Sequence, residues 1–207
     1  MRRPIALDLP STSIVVADFV GRGHVNAGMH CHAEIQRAYA AAGQTGASVD
    51  LPYVLSLAIP AISNLALGLE IFLKMHHFQN TGKFPTGHDI GILATSFKPI
   101  TQQGLRNVFL AMRDNEAVQA AATIKVGVGE KNSDFAAIWP EDARDLDSAA
   151  TQLGRAYERW RYIYEELHSP LEATIAFKPL LAMVFTVDFA IRNFRSEAFV
   201  SVGDGAA

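Results

Sequence analysis

The stretch "LPYVLSLAIPAISNLALGL", residues 51–69, contains no charged residue. As a helix it would run about 28 Å, close to the hydrocarbon thickness of a bilayer. It therefore forces a choice between a membrane span and a helix buried at the centre of a domain. Pro52 and Pro60 interrupt it, as do Ser56, Ser63 and Asn64, and Glu70 and Lys74 follow at once. The next most apolar segment, "IAFKPLLAMVFTVDFAI" (175–191), is broken by Lys178 and Asp188. A helix apolar on all faces belongs at the centre of a helical bundle. Residues 51–69 are thus expected to form a core helix, with no membrane partner and with Leu67 among its buried residues.

The rest of the chain supports a helical surrounding. Asp50 is placed to cap the core helix and Pro52 falls in its first turn, while Pro60 should kink the helix or split it. Helical spacing predicts further helices over 26–43, 88–97, 100–115, 142–167 and 171–194. The last of these carries Pro179 near its middle. The β-branched runs "SIVVADFV" (13–20) and "TIKVGV" (123–128) are short and give only a weak strand signal, the second within a loop or small hairpin. The expectation is an all-α bundle of five or six helices. Its 207 residues suit one domain, with a core over about 25–195 and frayed ends.

Charge and cysteine content narrow the setting. A formal net charge of −3 provides no general basic surface for nucleic acid, so any RNA contact has to be local. The single cysteine, Cys31, cannot form an intrachain disulfide and suits a reducing cytoplasm. The opening "MRRPIALDLP" has two arginines without the apolar run of a secretory signal.

The string "SNLALGLEIFLKMHHFQNTGKFPTGHDIGIL" carries Asn64, Glu70 and Lys74, then a glycine-containing loop and Gly87-His88-Asp89 before leucine-rich sequence. It resembles the HEPN superfamily (higher eukaryote and prokaryote nucleotide-binding). In that family a central helix bears a similar Asn, Glu and Lys pattern, and a Gly-His turn opens the next helix. "RWRYIYE" (159–165), with Trp160 and Tyr162, is similar to a pattern in some HEPN-like bacterial proteins. The resemblance implies an antiparallel helical bundle, a homodimer and an RNA or nucleotide ligand. For a toxin or defence member it also implies an antitoxin or nucleotidyltransferase partner. Glu70 and Lys74, with Glu on the N-terminal side at i,i+4, are set for an ion pair on one helix face. In "TGHD", Thr86 or His88 can precede the first turn while Asp89 sits near its positive end.

HEPN ribonucleases cut RNA without metal through an Arg-polar-x(4–6)-His motif, met by its symmetry mate across a dimer. The resemblance implies that here Arg161 and His168 would fill that role, the arginine on the phosphoryl oxygens and the histidine as acid or base. Two departures count against it. Tyr162 stands where active members carry a polar residue. Seven helical positions also separate the two side chains by about 10 Å along the axis, so they would meet on one phosphate only if the helix ends before His168 or two protomers pool their residues. Arg161 has a structural alternative in ion pairs with Glu158 or Glu165. His30-Cys31-His32 with His76-His77 does not make a metal site, since residues at i,i+2 face different sides of a helix. "GVGEKNS" (127–133) lacks a phosphate-loop pattern. The sequence therefore favours a non-catalytic HEPN-like module that binds nucleotide, RNA or protein, with no cofactor and no metal. The alternative is an endoribonuclease built on Arg161 and His168.

Overall fold

The computed structural model describes residues 9–121, 123–127, 143–154 and 172–193. They form seven helices and one two-stranded antiparallel ribbon. The helices are α1 (Leu9–Thr45), α2 (Leu51–Thr81), α3 (Ile90–Thr95), α4 (Pro99–Arg113), α5 (Glu116–Gln119), α6 (Leu146–Leu153) and α7 (Phe177–Asn193). The ribbon joins β1 (Thr123–Gly127) to β2 (Glu172–Ala176). The all-α character stands, but with one helix more than expected. The addition is α5, a single turn capped by the Asn115 side chain.

Helix α2 is the centre. The Asp50 side chain accepts from the Tyr53 amide at 3.1 Å, and Pro52 lies in the first turn, where its missing N–H costs nothing. The helix runs unbroken through Pro60 to Gly82, which closes it in the left-handed conformation at φ 71°. Val54, Ala58, Ile62, Leu65, Leu69, Phe72 and Leu73 are fully or almost fully buried. Helix α2 alone among the described helices is long and apolar enough to cross a membrane, and half of its most apolar window is buried inside the protein. Leu67 is a correction: it is only partly buried, between the fully buried Leu65 and Leu69.

Helix α1 packs antiparallel along α2, and glycine sets how closely. Gly21 and Gly28 lie seven residues apart on α1 and face Phe72 and the Ala61–Leu65 turn of α2. Gly68 of α2 faces Val25 and the Gly21 carbonyl in return. A Cβ at Gly28 would stand 2.6 Å from Leu65 Cγ and 2.8 Å from the Ala61 carbonyl oxygen. This seam carries α1 well beyond the expected 26–43, and the β-branched residues 13–20 are helical. Of these, Ile14 and Ala17 pack against the core, while Val15, Val16, Phe19 and Val20 are exposed.

Helix α7 covers α2 and also packs on α4 and α6. It starts six residues later than the spacing suggested. Residues 172–176 are strand β2, paired with β1 in the register Thr123↔Ala176 to Gly127↔Glu172. Pro179 consequently falls in the first turn of α7 and not at its middle, where it would have removed a ladder bond. Of the predicted helix 142–167, the described part is α6, opened by a reciprocal cap between Asp145 and Ser148.

Candidate functional site

Of the residues singled out in the sequence, the structure joins Glu70, Lys74 and His88. Helix α2 presents Glu70 and Lys74 one turn apart, and Nζ of Lys74 lies 2.8 Å from Glu70 Oε1. The loop after Gly82 returns through Gly87, at φ 92°, and brings His88 Nδ1 to 2.9 Å from the same oxygen. Glu70 is 3% exposed, and its second oxygen, Oε2, is buried without a hydrogen-bond partner. The carboxylate can only accept, so His88 donates from Nδ1. That leaves Nε2 on a side chain that is 63% exposed. Asp89 is the N-cap of α3, accepting from the Ile92 amide at 2.9 Å. Ile90 N donates to the Gly154 carbonyl at 2.8 Å, which fixes the turn to the end of α6. The cluster ties the α3 turn to the core helix and leaves one oriented imidazole at the surface.

Asn64 does not join this group. Six positions before Glu70, it faces α1, where its Oδ1 accepts from His24 Nδ1 at 2.8 Å and its Nδ2 donates to the Pro60 carbonyl. Arg161, His168, Trp160 and Tyr162 lie outside the described residues.

The histidines split by environment. His30 is exposed beside Glu34, whereas His32 is buried against the Phe177 ring at 4.7 Å, and burial lowers its pKa. Burial also lowers His76, to about 4, with its neighbour His77 acting in the same direction against a hydrogen bond to Gln79. His77 lies parallel on Phe97, with ring centroids 3.9 Å apart. Its Nε2 is 2.9 Å from both Ser96 Oγ and the Leu93 carbonyl. A carbonyl can only accept, so Nε2 carries the proton and cannot serve as a base for Ser96. The pair is a structural tie. Among the described residues, no group of three or more His, Cys, Asp or Glu is arranged to hold a metal.

The feature that sequence spacing could not reveal is a cleft of about 420 Å³ between α4, α5, the segment before α6 and the start of α7. Its floor includes Phe109, Val118 and Ala182, all buried. Arg113, Arg144 and Lys178 line it, with Asp114 as the opposing charge. Arg113 donates to both Asp114 oxygens at 2.9 and 3.2 Å and to the Arg144 carbonyl at 2.7 Å. The contact raises the guanidinium pKa and holds the Asp114 carboxyl below its usual range. Arg144 and Lys178 have no carboxylate partner among the described residues. On a chain with net charge −3, this is a local cationic site. Compared with known protein families, characterised proteins and solved structures, the chain matches none.

Proposed function

We propose that the chain is a HEPN-like helical module that binds a phosphate-bearing ligand, nucleotide or RNA, as a homodimer and without cutting it. The observation that supports this best is the cleft lined by Arg113, Arg144 and Lys178. Guanidinium and ammonium groups are the side chains that recognise phosphate, the first by paired donors and the second as a point charge. The cleft answers the requirement set by the acidic net charge, that any such contact be local.

Fluorescence anisotropy of labelled RNA and of a labelled nucleotide, taken over a salt series, tests the proposal. Binding should weaken steeply with salt, since each phosphate contact releases counterions. It should be lost in the Arg144→Glu, Lys178→Glu double variant. Absence of binding at low salt to either probe overturns the proposal.

A further inference from the structure

Resting on that proposed function, we infer that the cleft is specific for a phosphate monoester of nucleotide size: a nucleoside 5′-monophosphate or the 5′-phosphorylated end of an RNA. The charges come first. Arg113 commits Nε, Nη1 and Nη2 to Asp114 and the Arg144 carbonyl. Arg144 and Lys178 are therefore the cations of the cleft that no carboxylate among the described residues engages. Two such charges complement a monoester, which carries about −1.5 to −2 near neutral pH. A phosphodiester inside an RNA strand carries only a single negative charge.

Lys178 adds a second argument. It is the second residue of α7, a helix with no acidic residue in its first turn. A helix N-terminus already carries partial positive charge and favours anions. A lysine there opposes the stability of the helix, and a bound dianion removes that opposition.

The third argument separates an RNA end from an RNA strand. Single-stranded nucleic acid is gripped along a run of nucleotides by stacking on exposed aromatic rings. Among the described residues, Phe109 is the aromatic ring that lines the cleft and is fully buried, and the exposed aromatics Phe19, Tyr39, Tyr53, Phe84 and Phe189 lie outside it. A volume of about 420 Å³ instead matches the pockets that hold one small ligand.

The experiment compares one short RNA bearing either a 5′-phosphate or a 5′-hydroxyl, together with AMP as a competitor. The expected result is about tenfold or greater preference for the 5′-phosphate, the scale of charge-assisted hydrogen bonds gained or lost. AMP that competes identifies free nucleotide as sufficient; a 5′-phosphate preference that AMP does not compete away identifies the RNA end. Equal binding of the two RNAs overturns the inference and leaves the broader proposal standing, whereas no binding of any probe overturns both. Lys178→Glu keeps loss of binding distinct from loss of folding. It should abolish the preference and melt no lower than the parent, because an acidic first turn suits the helix dipole. Retention of the preference in Lys178→Glu also overturns the inference.

Discussion

Gly23 and Gly28 lie in the same helix, so replacing each with alanine changes the backbone propensity equally. Alanine in a helix interior is better than glycine by about 1 kcal/mol. At Gly23 a Cβ meets nothing within 4 Å, so this gain should appear undiminished. For a chain of 207 residues, 1 kcal/mol corresponds to a rise in Tm of roughly 2–4 °C. At Gly28 the new methyl would stand 2.8 Å from the Ala61 carbonyl oxygen, 2.6 Å from Leu65 Cγ and 3.0 Å from the Leu65 amide nitrogen. Two of these three are backbone atoms, so relief requires α1 and α2 to separate along their seam. Overpacking of this kind costs about 1–3 kcal/mol, and the backbone obstruction puts Gly28 in the upper part of that range. After the propensity gain, Gly28→Ala should be less stable than the parent by about 1–2 kcal/mol. Thermal melts followed by circular dichroism, supported by urea unfolding, give both values. Gly28→Ala melting as high as Gly23→Ala would refute the close α1–α2 approach.

Acid should destabilise the protein through His76: its folded pKa of about 4 lies below the ordinary 6.5, so the unfolded chain binds the proton first and stability, complete above about pH 6.5, falls by up to about 1.4 kcal/mol per unit toward pH 4. His32 acts in the same direction, and urea titrations between about pH 7 and pH 4 should show a shallower loss in His76→Gln, an equal loss counting against the assignment. Leu69→Asp should cost several kcal/mol, a large share of a domain's stability, whereas Leu67→Asp should cost far less; equal losses in urea unfolding would contradict the burial pattern. Lys74→Met should cost about 1–3 kcal/mol by leaving the buried Glu70 carboxylate to His88 alone, and an unchanged urea midpoint would show that the ion pair contributes nothing. For the ribonuclease alternative, labelled RNA incubated without metal should remain intact; cleavage lost in both Arg161→Ala and His168→Ala, with unchanged melting, would reverse the non-catalytic proposal.

Local chemistry was legible in the sequence, and chemistry assembled across distance was not. Asp50 and Pro52 marked the start of α2, and the Glu70–Lys74 spacing anticipated their ion pair, because caps and i,i+4 pairs are decided within one helical turn. Of the "TGHD" turn, the capping residue proved to be Asp89, while His88 turns back to Glu70, a contact that no helical spacing encodes. Strand β2 was hidden because "EATIA" borders a strongly apolar helix and its partner β1 lies some fifty residues earlier. Pro179 was the overlooked sign, since proline suits a first turn and not a helix interior. Leu67 illustrates another limit: a segment apolar on every face does not say which side the bundle leaves partly open. The cleft draws its cations from positions 113, 144 and 178, which only the packing of α4 and α7 brings together.

The order of these helices along the chain has a consequence for synthesis. Helices α1 and α2 are adjacent in sequence and pack along each other, so their hairpin can zip up once Thr81 has emerged. Formation of helices and local collapse takes microseconds. The element that covers the other side of α2 begins only at Phe177. At ribosomal rates of about 5–20 residues per second, the hairpin waits roughly 5–20 s with that apolar side uncovered. During this interval it is the part of the nascent chain most open to capture by a chaperone or to self-association. Closure comes when α7 emerges and lays Phe177 against His32 of α1, joining the last described helix to the first.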